Sequence, residues 1–206
     1  MKNTMMKVTL AATMLVGGIL GQGAVDDSKA DAAAAPTTKA QPVMTDNLFK
    51  FGLKKDIELP VTVTAGGLSY TLEKLMFYDV KSTEAQTLMK KYGYSDRIYR
   101  TPTKYMVWTK LTIENKSNKI IQQGARDLSP KWRINVNGSS LDAPTPGKKV
   151  DELNNREALW DWVLKPGEQL STYQMYGYIK DPKDISIYVN VNGQFQEKYI
   201  VNMPEE

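Results

Sequence analysis

Carboxylates are the only common acid–base groups in this sequence, because it contains neither histidine nor cysteine. Without these residues a Ser-His-Asp triad, a thiol nucleophile, a disulfide and a zinc–thiolate site are all excluded. The candidate carboxylates are Asp151, Glu152 and Asp161. A glycosidase would need two of them facing one cleft, about 5–10 Å apart. Asp161 stands between Trp160 and Trp162, so strand alternation predicts a solvent-facing charge above two core indoles.

Metal binding has little support in the sequence. The methionines beyond the first 24 residues form no M-x-x-M cluster, and no histidine stands beside them. Asp26, Asp27 and Asp31 lack the loop pattern of a calcium site. We therefore predict no metal and no cofactor.

Tyrosines and arginines are concentrated between residues 82 and 103, and they are the best candidates for a binding surface. Aromatic rings beside cations offer contact area for sugars and peptides. The candidate binding residues are Tyr92, Tyr94, Arg97, Tyr99 and Arg100. The alternative is that this segment covers an open end of the sheets, with Leu88, Met89 and Tyr92 buried and the cations in solvent.

Most of the chain that must position these residues has the two-residue period of β-strands. In YMVWTKLTIENKSNKII, the residues Val107, Thr109, Leu111 and Ile113 are expected to face the core, with Trp108, Lys110 and Thr112 on the other side. Asn-Gly pairs at 137–138 and 192–193 predict tight hairpins of type I′. Trp160, Trp162 and Leu164 share one face and are expected in the core. Tyr176 and Tyr178 share the face opposite Met175 and Ile179 and are candidates for an outward aromatic surface, with ordinary packing as the alternative.

One segment has a helical pattern instead. STEAQTLMKKYGYSD begins with Ser82 and Thr83, has Gln86 three residues after Thr83, and ends at Gly93. This is a capping-box start with a glycine stop. Short strands spaced about ten residues apart, together with this single helix, predict an all-β fold: an immunoglobulin-like antiparallel β-sandwich with one short inserted helix.

The N-terminus has the pattern of an export signal. Lys2 and Lys7 precede an uncharged apolar run at residues 8–20, and small residues follow. We predict a signal peptide at residues 1–24, cut after Gly23 or Ala24, a disordered spacer at 25–45 and one domain at 46–206. Because the chain has no cysteine, lipid attachment of the lipoprotein type is excluded.

The charge balance excludes an obvious polyanion binder. The formal net charge is +4, and it falls to +2 without Lys2 and Lys7. Basic and acidic residues are mixed along the chain, so we predict no nucleic-acid partner and no membrane association after signal removal.

Three stretches carry a family resemblance: LTIENKSNKII, VLKPGEQLSTYQMYGYI and DISIYVNV. They resemble the exported immunoglobulin-like domains of unknown function from Gram-positive bacteria, which are similar in fold to a mycobacterial secreted immunoprotective antigen. In such domains an N-x-S loop follows a central strand and L-x-P-G-E forms a corner; here these are Asn115–Ser117 and Leu164–Glu168. The resemblance implies a fold and an extracellular or cell-wall location, with no catalytic residues.

The function expected from the sequence is an exported, non-enzymatic binding or interaction module. Its partner would be a cell-wall polymer or another exported protein. A carboxylate-dependent hydrolase acting on wall polymers is the alternative.

Overall fold

Alternating strands and tight turns account for most of the observed architecture. The computed structural model describes residues 43–98, 101–124, 127, 129–149 and 151–202, with the backbone alone at Ile98. The predicted signal peptide and all but the last three residues of the predicted spacer lie outside this range. Within it, no helix has both the length and the apolar character needed to cross a membrane.

The described residues form twelve strands and one α-helix. The strands are β1 (Val61–Ala65), β2 (Leu68–Asp79), β3 (Arg97–Ile98), β4 (Thr101–Pro102), β5 (Tyr105–Asn115), β6 (Ile121–Gln123), β7 (Trp132–Val136), β8 (Ser139–Ser140), β9 (Trp162–Leu164), β10 (Gln169–Tyr178), β11 (Ile185–Val191) and β12 (Gln194–Val201). The α-helix, α1, is Thr83–Tyr92, and a short 3-10 helix lies at Leu48–Phe51. The chain is therefore all-β, with one helix between β2 and β5.

The two larger sheets are antiparallel and have four strands each. The first has the order β1-β2-β5-β10 and the second β12-β11-β7-β8, while β6 pairs with β9 and β3 with β4. One apolar core contains residues from both larger sheets, including Leu72, Leu111, Ile134 and Ile187, each fully buried. The fold is therefore β-sandwich-like, with a core between two sheets.

The strand order differs from the usual immunoglobulin order. In the constant-type immunoglobulin domain the third strand crosses to the second sheet, and the fifth strand pairs with the second. Here β5 takes the place of the third strand when the two-residue strands β3 and β4 are left out of the count. It stays in the first sheet and pairs directly with β2, in a register from Leu68↔Asn115 to Asp79↔Tyr105. The helix and the β3–β4 ribbon lie within this connection.

The helix begins and ends where the sequence predicts. Ser82 is the N-cap, and its hydroxyl accepts a hydrogen bond from the N–H of Ala85 at 3.2 Å. Gly93 takes the left-handed conformation that ends a helix, with φ of 74°. The expected capping box is absent, because the Gln86 amide instead donates to the carbonyl of Val80 at 2.6 Å.

The helix covers the outer face of the first sheet. It forms a second apolar cluster whose buried residues are Val80, Ala85, Met89, Tyr92, Tyr94, Met106, Trp108, Ala158 and Met175. Trp108 lies between the rings of Tyr92 and Tyr173, at centroid distances of 5.6 Å on each side. The helix thus buries the outer face of the first sheet around Met106, Trp108 and Met175, which explains why both residue parities are apolar in the first part of β5.

Both Asn-Gly hairpins are confirmed. Asn137 and Gly138 have φ of 52° and 69°, and Asn192 and Gly193 have φ of 53° and 76°. Positive φ at both central residues is the requirement of a type I′ turn. These turns connect β7 to β8 and β11 to β12.

Candidate functional site

A cavity of about 260 Å³ opens beside the main core, and aromatic side chains form much of its wall. The residues that determine its chemistry are Trp132, Trp160, Trp162, Gln174, Tyr176 and Asp161. We call this feature the tryptophan cavity. Three of the four tryptophans in the sequence line it, and the fourth, Trp108, belongs to the second cluster.

The aromatic wall is built by three different elements. Trp132 is the first residue of β7, and its indole stacks on Tyr70 of β2 at 5.4 Å. Trp162 is the first residue of β9 and contacts Trp132, with ring centroids again 5.4 Å apart. Trp162 is only 1% exposed and Trp132 only 5% exposed, so these two rings form a rigid floor.

A single amide oxygen holds the side wall in place. The Oε1 atom of Gln174 accepts hydrogen bonds from the Tyr176 hydroxyl at 2.6 Å and from the Trp132 indole N–H at 3.2 Å. Burial raises the pKa of Tyr176, so its hydroxyl stays protonated and remains a donor. Both polar atoms of the wall are therefore bonded to protein, which orients the two rings.

Asp161 has a different environment. Its Oδ1 atom is buried and has no hydrogen-bond partner among the residues that the structure describes. Its backbone carbonyl accepts from the N–H of Asn154 at 3.0 Å. The Asn154 side chain pairs with the backbone N–H and carbonyl of Val163, at 2.8 and 2.9 Å. These bonds hold the backbone on which the Asp161 side chain stands.

The rim carries charge. Arg133 forms an ion pair with Asp142 at 2.7 Å, and Asp127 accepts from the N–H of Gly124 at 2.7 Å. Counting the described lining residues, the cavity has three aspartates and one arginine, so its formal net charge is −2. No group of three or more acidic side chains in the described chain could hold a metal ion.

The candidate binding residues around the helix do not form an exposed aromatic surface. Tyr92 and Tyr94 are 5% and 8% exposed, respectively, because both pack around Trp108. Met89 is buried with them, as the covering role predicts, and Leu88 is half-buried. Arg97 is exposed. Tyr99 and Arg100 lie outside the described residues.

The candidate carboxylates are separated by the fold. Asp151 and Glu152 are exposed and do not line the tryptophan cavity. Hydrogen bonds from Lys149 at 2.8 Å and from Asn155 hold the pKa of Glu152 below its ordinary value, the Lys149 bond being the larger cause. The prediction that Asp161 faces solvent is wrong, because its Oδ1 atom is buried. The prediction that Trp160 lies in the core is also wrong, because Trp160 is half-buried and lines the cavity.

The outward placement of Tyr176 and Tyr178 is also wrong. They are 3% and 7% exposed and belong to the main core. Their cross-strand partners are Val107 and Tyr105, on the inner side of β5. Met175, on the opposite face, is buried beneath the helix, so residue polarity gives no indication of which face of β10 points inward.

The sequence does not predict this cavity. Its described wall residues come from three separate stretches, within 123–143, 160–162 and 174–176, and these stretches meet only in the folded sheets. One signal was available. The sequence has four tryptophans, and three of them lie between residues 132 and 162, close to aspartates.

Structural comparisons find β-rich bacterial proteins at low identity. The yjhA protein of Bacillus subtilis is 15% identical, with a TM-score of 0.37 over 63% of this chain and 77% of that one. A functionally unknown protein from Listeria monocytogenes is 8% identical, with a TM-score of 0.41 over 74% and 88% of the two chains.

The ycdA protein of Bacillus subtilis, named as a candidate lipoprotein, is 6% identical with a TM-score of 0.46. The match covers 70% of this chain and 39% of that one. No protein-family model matches the chain, and no curated protein matches it. These likenesses assign neither a family nor a function.

Proposed function

We propose that this protein is an exported, non-enzymatic binding module and that its ligand occupies the tryptophan cavity. Export is supported by the basic, apolar and small-residue pattern of residues 1–24. The partner would be a cell-wall polymer or another exported protein. The protein acts without a cofactor in this proposal.

The observation that carries the proposal is the buried Oδ1 of Asp161, which has no partner among the described residues. A carboxylate oxygen removed from water without a hydrogen bond is costly, and each such group in a folded protein calls for an explanation, of which a functional role is one. The Asp161 residue as a whole is half-buried and lines a cavity whose walls include three indole rings. A ligand that donates a hydrogen bond to Asp161 while stacking on the indoles would satisfy it.

In this proposal the domain is a variant of the immunoglobulin-like sandwich. The Asn-Lys-Ser loop at 115–117 and the Lys-Pro-Gly turn at 165–167 support that assignment. The variant keeps its third long strand, β5, in the first sheet beside β2. The helix then covers the outer face of that sheet and leaves ligand contact to the tryptophan cavity.

Binding is favoured over hydrolysis because the other cavity carboxylates have structural partners. Asp142 pairs with Arg133, and Asp127 closes a turn at Gly124. Asp161 alone provides a single carboxylate, whereas glycoside hydrolysis usually uses two.

The test is a pull-down on isolated cell walls and on secreted proteins, with the intact protein beside Trp160→Ala and Asp161→Asn. Asp151→Asn is the matched control, because it removes an exposed carboxylate from the same loop without touching the cavity. We expect both cavity variants to lose at least about tenfold in retention, since each removes a contact of about 1.5 kcal/mol or more. Equal retention of all four folded proteins would refute the cavity as the binding site.

The same preparations test the alternative. Walls incubated with the intact protein are assayed for released reducing sugars and free amino groups. We expect none above the level of a boiled control. Release that is lost in Asp161→Asn would replace the binding proposal with a carboxylate-dependent hydrolase.

A further inference from the structure

We infer that the group bound in the tryptophan cavity is a cation, an ammonium or guanidinium carried by a side chain or an amino sugar. This inference rests on the proposed function and specifies the class of its ligand. Three features of the cavity converge on it: its charge, its indole walls and the position of the Asp161 carboxylate.

The described residues that line the cavity carry a net charge opposite in sign to that of the whole protein. The chain has a formal net charge of +4 and a sequence pI of about 9.0. The described lining residues of the cavity sum to −2. A negative concavity with low-dielectric walls concentrates its field and attracts a cation against the overall charge. A neutral ligand would leave that charge uncompensated.

Arg133, the one arginine among the described lining residues, pairs with another aspartate and not with Asp161. The Nη1 atom of Arg133 pairs with Asp142 at 2.7 Å. Asp161 Oδ1 has no hydrogen-bond partner among the described residues, Arg133 included. An N–H⁺ group that pairs with the half-buried Asp161 carboxylate would form a charge-assisted hydrogen bond, roughly twice as strong as one from a neutral hydroxyl.

The walls provide the second kind of contact that a cation needs. An ammonium or guanidinium group is attracted to the face of an aromatic ring within about 6 Å, and indole is the best of the side-chain rings. Trp132, Trp160 and Trp162 all line the cavity, and Trp160 is half-buried and so accessible from outside. Trp132 and Trp162 are 5% and 1% exposed, so the cation–π contact would be made with Trp160 and the ion pair with Asp161.

The volume limits the size of the bound group. At about 260 Å³ the cavity is smaller than the 300–1,000 Å³ typical of pockets for drug-sized ligands. It therefore suits the end of one side chain or one sugar unit of a larger molecule. A second hollow, beside β8, shares Leu141 and Asp142 with the cavity.

The experiment is a fluorescence titration with two matched probe pairs, read through the cavity tryptophans. Glucosamine is compared with N-acetylglucosamine, and Nα-acetyl-lysine N-methylamide with Nα-acetylnorleucine N-methylamide. Each pair differs chiefly in the positive charge, and the two pairs separate a sugar source from a peptide source. We expect saturable binding of at least one cationic probe, about tenfold tighter than that of its neutral partner.

Variants and salt complete the test. Asp161→Asn should abolish the preference for the cationic probe, and Asp151→Asn should retain it. Raising the salt concentration should weaken binding of the cation and leave the neutral probe unaffected.

Two further outcomes are distinguishable. Equal binding of charged and neutral probes, lost in Trp160→Ala, would overturn the cation inference and leave the cavity as a binding site. No binding of any probe, together with wall retention that the cavity variants do not alter, would overturn both proposals.

Discussion

The N–H of Gly167 donates a hydrogen bond to the carbonyl of Asn115 at 2.8 Å. Asn115 ends β5, and Gly167 lies in the Lys-Pro-Gly turn before β10, where its φ of 76° requires glycine. The Asn115 side chain makes further bonds at the same place. Its amide donates to the carbonyls of Lys119 and Leu164, and its oxygen accepts from Ser117. One asparagine thus joins the loop after β5 to the end of β9.

Replacing Asn115 with alanine should be strongly destabilising. The residue is fully buried, and its removal takes a hydrogen bond from the buried Leu164 carbonyl and from the Ser117 N–H, whereas the Lys119 carbonyl keeps the Ser117 hydroxyl as a donor. Buried groups left unsatisfied cost about 1–3 kcal/mol each, so we expect a loss of about 3 kcal/mol or more in unfolding free energy. Denaturant titration measures it. Asn118→Ala, at an exposed position of the same loop, should change stability by less than about 0.5 kcal/mol.

The sequence predicts the Asn115 loop and the Gly167 turn well and the second apolar cluster poorly. The difference is whether a feature depends on neighbouring or on distant residues. Turns and caps depend on residues close in sequence, so Ser82, Gly93 and the two Asn-Gly pairs could be placed from local patterns alone. The burial of Tyr94, Trp108 and Tyr176 depends on what covers each face of the first sheet. That depends on the long-range packing of the helix and of residues 154–161, which no local pattern encodes.

Alanine at Gly66 should cost more than alanine at Gly193, although both glycines have positive φ. A Cβ at Gly66 would lie 2.4 Å from the carbonyl oxygen of Val191, whereas a Cβ at Gly193 meets nothing within 4 Å. The left-handed strain is common to both, and overpacking adds about 1–3 kcal/mol at Gly66 alone. Thermal unfolding of the two variants should therefore give a clearly lower Tm for Gly66→Ala. Equal Tm values would show that the β1–β2 turn can shift.

Tyr92→Ala should destabilise the protein by about 3–5 kcal/mol, because it empties a buried site and removes one side of the stack on Trp108. Arg97→Ala changes an exposed residue of the same connection and should be nearly neutral. We also expect Arg97→Ala to retain full binding in the cell-wall pull-down. Loss of retention with unchanged stability would return the ligand site to the helix segment.

The ion pair between Glu73 and Lys110, at 2.6 Å, should make part of the stability depend on pH. Partial burial acts to raise the pKa of Glu73, but hydrogen bonds from Lys110 and Thr112 outweigh it, and the net pKa lies below the ordinary 4.5. Because the folded pKa is lowered, the contribution is complete above about pH 4.5 and is lost as the pH falls further.

Glu73→Gln should flatten the stability curve below pH 5 and lower stability at pH 7 by about 0.5 kcal/mol, the modest size expected for a partly exposed pair. Urea unfolding at several pH values measures this. Asp151→Asn is the control for the loss of a carboxylate. A curve for Glu73→Gln that runs parallel to that of the intact protein would contradict the assignment.

The boundary between the predicted spacer and the domain should be visible by limited proteolysis. The carbonyl of Thr45 accepts from the N–H of Leu75 at 2.9 Å, and the Asn47 side chain pairs with the backbone N–H and carbonyl of Phe77 at 2.9 and 2.8 Å. These bonds fasten residues 45–47 to β2 beyond the point where its pairing with β1 ends at Leu72. A protease needs an extended, unbonded segment, so cleavage should concentrate before Thr45, in the Ala- and Pro-rich stretch without aromatic residues.

Asn47→Ala should allow cleavage further along, up to about Phe51. Mass spectrometry of the fragments locates the cuts, and cleavage within residues 45–51 of the intact protein would show that this segment is not held to β2.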